Sequence, residues 1–179
     1  MKQGRQSILL VQLTSAPVGA DALVPALQTD DSYSIENSIS DVETKFGRML
    51  AYGTNSETFD ITMRGQKGDA GQKAILDAIK NKVQLKIWEV DTEPNAESTY
   101  DSLFAYAIVE SFERSNPADD SQEVSATIQV IGESQEGTFT TLPEELINFA
   151  KYGFELPGQT TGEFGSEDNP TGYVPTETP

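Results

Sequence analysis

Apolar and polar residues alternate with a period of two along much of this chain. In 58–64, Phe59, Ile61 and Met63 fall on one side and Thr58, Asp60, Thr62 and Arg64 on the other, the pattern of a half-buried strand. Residues 83–91 set Val83, Leu85 and Ile87 against Lys86, Trp88 and Val90. In 102–113 a heavy face of Phe104, Tyr106, Ile108 and Phe112 stands opposite the small Ala105 and Ala107. In 123–130, Val124, Ala126, Ile128 and Val130 point inward and Glu123, Ser125, Thr127 and Gln129 outward. The run SILLVQL (7–13) is apolar almost throughout, as in a strand covered on both faces. Turn-rich stretches separate these runs, RSNPADDSQ at 114–122 and DTEPNAESTYDS from Asp91. Three successive strands of this kind predict an antiparallel sheet with one wet face. Trp88, Tyr100, Phe104, Tyr106 and Phe112 are expected in the core rather than on a sugar or base platform.

Two segments change to a helical period. After GQKGDAGQKAILDAI begins at Gly65, Asp69 is placed to cap a helix and Gln72 to complete a capping box. Ala74, Ile75, Ala78 and Ile79 form the helix's apolar stripe, and Asn81 ends it. TLPEELINFAKYG (141–153) predicts a short second helix, with Glu144 and Glu145 at its positive end and Gly153 as its stop. Residues 31–57 begin as a strand and are then expected to become a long polar loop around ETKFGRMLAYG. Phe46 and Tyr52 in that loop have no core to enter, which suggests a surface for a partner. From Pro157 onward, Gly, Pro, Thr and acid predict a flexible tail.

The chain has 179 residues, enough for one domain with a full core, and no apolar run of bilayer-spanning length. It contains neither cysteine nor histidine, which removes disulfides, thiol nucleophiles, Cys/His zinc sites and imidazole bases. The glycines at 65, 68 and 71 match neither a P-loop nor GxGxxG, so a strand-to-helix turn is the better reading. The loop from Asp91 has Ala96 and Ser102 where a calcium loop needs Gly and Glu. Acid pairs such as Asp30-Asp31 and Asp119-Asp120 are explained more simply as turn residues than as catalytic pairs. A net charge of −17 sets the chain against phosphate backbones. The basic residues are unevenly placed: 65–91 holds five lysines, while 92–179 holds only Arg114 and Lys151.

The ordered blocks PALQTDDSYSIE (25–36), ETKFGRMLAYG (43–53), GQKGDAGQKAILDAI (65–79), LKIWEVDT (85–92), FAYAIVES (104–111), QVIGE (129–133), TLPEELIN (141–148) and PGQTTGE (157–163) resemble the major tail tube proteins of long, non-contractile-tailed bacteriophages of Gram-positive hosts. That resemblance implies a mainly β (α+β) antiparallel sandwich or barrel-like domain over 1–156, with one flanking helix and a short C-terminal helix. A long loop (37–56) and a C-terminal arm (142–162) would reach neighbouring copies, and 163–179 would be a flexible acidic tail. It implies a structural virion protein with no enzymatic activity and no cofactor or metal, assembled in the host cytoplasm. Copies would form stacked hexameric rings, meet tape measure and tail terminator or tip proteins, and let double-stranded DNA pass without sticking. Residues expected at contacts between subunits or rings are Thr44, Phe46, Arg48, Tyr52, Lys73, Lys80, Glu144, Glu145 and Phe149. Those expected to face the lumen are Asp60, Thr62, Glu123 and Gln129. The alternative is a secreted or surface β-sandwich binding module for carbohydrate.

Overall fold

A computed structural model of the chain describes residues 7–142, which fall almost wholly in the first of two compact units, Met1–Thr140 and Thr141–Pro179. Seven strands and one helix follow in the order β1 (Ser7–Leu13), β2 (Gln28–Thr44), β3 (Gly47–Arg64), α1 (Ala70–Asn81), β4 (Leu85–Asp91), β5 (Tyr100–Ser115), β6 (Glu123–Val130) and β7 (Gln135–Phe139). They form one antiparallel sheet in the spatial order β1-β4-β5-β6-β3-β2, with β7 paired to the first residues of β5. The turn-rich stretches expected from Asp91 and at 114–122 hold the connections of β4 to β5 and of β5 to β6, with β5 itself running from Tyr100 to Ser115.

The sheet curls until its two end strands meet. Where they meet, one side chain replaces a strand. The Gln28 carboxamide accepts from the Leu9 N–H at 2.9 Å and donates to the Leu9 carbonyl at 2.8 Å. Two residues further along β1, Val11 pairs with Leu23 through two backbone bonds of 2.8 Å. The border of β1 is thereby satisfied within the chain, which removes it as a template for another strand.

Leu9, Val11, Phe59, Ile61, Met63, Leu85, Ile87, Val124, Ala126 and Ile128 fill the concave side with the helix residues Ala74, Ile75 and Ala78. This is the alternation read from 58–64 and 123–130. In β5, however, the order of the two faces is reversed. The small Ala105 and Ala107 are buried, whereas Tyr106 and Ile108 of the heavy face are exposed. α1 packs against β5, and alanines there let the helix backbone come close. A register shift between Val109 and Ser111 then inserts one residue and changes the parity of the strand. Phe112, expected beside Ile108, instead pairs with Ala126 and packs on the core.

α1 begins as its sequence implies. Asp69 caps it, its carboxylate accepting from the Gln72 N–H at 2.7 Å, and Lys82 ends it in a left-handed conformation at φ 55°. The Gln72 side chain does not return to Asp69 to close a capping box. It is buried and donates to the carbonyls of Arg64 and Ala26 at 2.7 and 3.2 Å, fastening the helix to the end of β3 and the segment before β2. Gly71 lies in the same junction, where a Cβ would stand 2.5 Å from the Pro25 backbone nitrogen. Glycine to alanine within a helix ordinarily stabilises by about 0.4–1 kcal/mol. At Gly71 the sign reverses: Gly71→Ala should destabilise by roughly 1–3 kcal/mol through overpacking, read as a lower denaturant midpoint.

Candidate assembly surfaces

β2 and β3 are much longer than the sheet that holds them. Only Thr58–Arg64 of β3 pairs with β6, and beyond Glu57 the two strands continue as a hairpin through Thr44–Gly47. The stretch 37–56, expected to be a loop, is therefore the outer part of a β-hairpin. Thr44 closes its turn, the Thr44 hydroxyl donating to the Gly47 carbonyl at 2.8 Å and accepting from the Phe46 N–H at 3.2 Å. Gly47 follows at φ 124°, a conformation that favours glycine.

Base and tip are separated by an irregularity. The register shifts between Asn37 and Ile39, where β3 carries an extra residue around Gly53 and Thr54. The Asn37 carboxamide accepts from the Gly53 N–H at 3.1 Å and donates to the Gly53 carbonyl at 3.2 Å, while the Ser38 hydroxyl accepts from the Thr54 N–H at 2.9 Å. Gly53 is required because a Cβ there would meet the Ser38 carbonyl.

In the tip, pairing sets Ile39, Asp41 and Glu43 with Tyr52, Leu50 and Arg48 on one face, and Ser40 and Val42 with Ala51 and Met49 on the other. Arg48 pairs with Asp41 at 2.7 Å. Ile39, Val42, Met49 and Leu50 are all exposed, with Tyr52 89% and Phe46 fully so. Isolated hairpins of this kind are marginal in water, and an apolar surface on both faces of a projecting ribbon marks a site of association. The outer edge of β2 and the part of β3 beyond β6 also have no partner strand among the described residues.

The root of this hairpin is anchored by a group that sequence reasoning missed. Glu57 continues the inward series Glu57, Phe59, Ile61, Met63 and is only 4% exposed. Its carboxylate accepts from the Tyr33 hydroxyl of β2 at 2.9 Å and from the Ser134 N–H, in the bend after β6, at 3.1 Å. An acid at a core-facing position of an alternating run was the available signal. Burial pushes the Glu57 carboxyl up, but the hydrogen bonds from Ser134 and Tyr33 outweigh it and hold it below its ordinary 4.5. A carboxyl depressed by folding stabilises the fold above its unfolded value, and that contribution is lost as pH falls through the folded value. Acid should therefore loosen the hairpin root from about pH 4.5 downward. Glu57→Gln should cost about 1–3 kcal/mol at neutral pH and flatten this part of the acid limb of a stability titration.

The four expected lumen residues share one surface. Asp60, Thr62, Glu123 and Gln129 lie on the outer face of the β3–β6 ladder, where Asp60 pairs with Thr127, Thr58 with Gln129 and Arg64 with Glu123. The Thr127 hydroxyl donates to Asp60 at 2.6 Å, Thr58 donates to Gln129 at 2.9 Å, and Gln129 donates to Glu110 at 2.6 Å. On β4 and β5 the same face becomes aromatic, with Trp88, Phe104 and Tyr106 stacked at centroid separations of 5.2 Å. Trp88 and Phe104 are partly buried and Tyr106 is exposed, and none of the three belongs to the core cluster, so the expectation that they form the core is corrected. The alanine side of β5 has that place.

Lys73 and Lys80 project from the exposed side of α1, opposite its buried stripe, and have no ion pair among the described residues. Glu144, Glu145 and Phe149, the second helix, the arm and the tail lie outside the described residues apart from Leu142. A cleft of about 610 Å³ is bordered by Glu89, Asp91, Asp101, Ser102, Leu103, Glu136, Gly137 and Thr138. No aromatic residue lines it, which does not suit stacking on a sugar ring. No described helix is long and apolar enough to cross a membrane.

Residues 1–136 match the family model described as phage tail tube protein. Over 162 residues the chain is 45% identical to tail tube protein gp17.1* of Bacillus phage SPP1, covering 89% of this chain and 61% of that protein. It is 28% identical over 121 residues to a putative tail protein of Staphylococcus phage phiMR11, covering 66% and 63%. The chain thus spans about three fifths of the length of these two relatives. Among solved structures, the SPP1 tail tube determined by solid-state NMR and cryo-EM matches with a TM-score of 0.76 and 39% identity, over 92% of this chain and 96% of that one. The tail of a gene transfer agent particle matches in fold, with a TM-score of 0.61 at 12% identity, over 75% and 98%. The family model covers residues 1–136, and a relative 45% identical extends the likeness over 89% of the chain: the chain belongs to the phage tail tube protein family.

Proposed function

We propose that this chain is the structural repeat of a phage tail tube, with copies closing into rings of six and rings stacking into a hollow cylinder in the virion tail. The observation that carries this reading is the β2–β3 hairpin, with its free strand edges and its apolar residues on both faces. A ring closes only through head-to-tail contacts, in which one patch meets a different patch on the next copy. The hairpin supplies one such patch through Phe46, Arg48 and Tyr52. Strand pairing along β2 satisfies the open edge as the ring closes. Lys73 and Lys80 meet acidic surfaces of an adjacent copy, and the segment 142–162 extends the contacts between rings.

The outer face of β2, β3, β6 and the last half of β5 lines the bore. Negative charge there keeps DNA moving through a protein that serves it without holding it. Tape measure protein fills the bore before DNA does, and terminator and tip proteins end the tube. The role is structural, not catalytic. Amide exchange tests the central contact: residues 39–52 should exchange quickly in the free chain and slowly in assembled tubes. Equal protection in the two states contradicts it.

A further inference from the structure

The face assigned above to the bore carries few cations. Among the described residues of β3, β6 and the last half of β5 that sit in the sheet, Arg64 is the basic residue on this face, Arg114 falling opposite the core residue Val124. The Arg64 guanidinium lies 3.3 Å from the Asp120 carboxylate and 4.0 Å from that of Glu123, and it donates to the Ser121 carbonyl at 3.5 Å. The two acids come from different elements, one from the β5–β6 loop and one from the start of β6, so they approach the guanidinium from separate positions. Asp120 is itself oriented, its carboxylate accepting from the Ser121 N–H at 2.6 Å.

Some of the neutral donors are committed in the same way. Thr127 is bonded to Asp60, Thr58 to Gln129, and Gln129 to Glu110, whereas neutral hydroxyls such as Ser32, Ser34, Thr62 and Ser125 share the face without a charge to offer. A passing phosphate is held most firmly by a free cation, since hydrogen bonds to charged groups are roughly twice as strong as neutral ones. Net negative charge alone does not deny it one, because repulsion is screened over about 10 Å at 0.1 M salt, whereas a free guanidinium within contact distance binds bidentately.

We propose that this face is insulated against DNA by the masking of its cation, with Asp120 and Glu123 as positioning residues that engage Arg64. The inference rests on the assignment of the face to the bore. Retention is multiplied by symmetry: a ring of six would expose six guanidinium groups at one level once the masking acids are gone, and every ring would repeat them.

The test compares the double variant Asp120→Asn/Glu123→Gln with a charge-matched control, Asp21→Asn/Glu97→Gln, whose acids are exposed in loops away from this face. Two readouts are taken: affinity of the free chain for a short duplex DNA by fluorescence anisotropy, and the rate of DNA exit from virions carrying each variant. The masking variant should bind duplex at least tenfold more tightly than the control, with a steeper salt dependence, and slow DNA exit several-fold. Adding Arg64→Gln to it should restore both values. If the masking variant and the control behave alike in both readouts, the inference is overturned. If duplex binding rises while exit is unchanged, masking of Arg64 is supported and the placement of this face in the bore is wrong.

Discussion

Replacing Phe46, Leu50 and Tyr52 together by serine is expected to abolish tube formation while leaving the free chain folded. All three side chains are exposed, so their loss removes no core packing. Exposed substitutions of this kind change stability by no more than about 0.5 kcal/mol each. On the proposed assembly the same side chains become buried against another copy, where each large apolar group contributes about 1.5–3 kcal/mol. Losing three costs at least about 4 kcal/mol per contact, roughly a thousandfold in the association constant. Sedimentation should show a single slow species at concentrations where the parent chain forms tubes, with an unchanged circular dichroism spectrum and melting temperature.

Phe59→Ala should act in the opposite way, through the monomer. Phe59 is fully buried where β3 enters the sheet, between β6 on one side and β2 on the other, with its ring 5.0 Å from that of Tyr33. Removing it opens a cavity at the point where the hairpin strands enter the sheet, at a cost of about 3–5 kcal/mol. Against a domain stability of about 5–15 kcal/mol, that is a large share. The denaturant midpoint should fall sharply with little change in slope, since the surface exposed on unfolding is nearly the same. Assembly should then fail because folded chain is scarce, and lowering the temperature should recover part of it.

How much of this could be read in the sequence depended on whether a residue's partner lies within the chain. Phe59, Ile61 and Met63, or Val124, Ala126 and Ile128, pack on their own fold, and their period-two pattern places them correctly. Asp69 caps α1 through a purely local bond, and it too was legible. The hairpin was not, because Ile39, Val42, Met49, Leu50 and Tyr52 are spread over both faces of a ribbon that packs on nothing in the chain. A single-sided core would have imposed alternation there. The faces of β5 were inverted for two other reasons: Ala105 and Ala107 are small to admit α1, and the bulge at Val109/Ser111 changes parity without any glycine or proline to announce it. β7 (QEGTF) is short, polar and interrupted by Gly137, so its pairing with Tyr100–Phe104 depends on position rather than on composition. Among the site residues, Asp60, Thr62, Glu123 and Gln129 fall on one face of the sheet. Their links to Arg64, Glu110 and Thr127 required the register.

On the proposed assembly, this chain is completed only by copies of itself, and negative-stain electron microscopy of the purified protein across a concentration series is the decisive measurement. Hollow filaments built of stacked sixfold rings are expected once a threshold concentration is passed, and isolated particles below it. Isolated particles at every concentration, with the 39–52 hairpin already protected from exchange, would contradict that assembly.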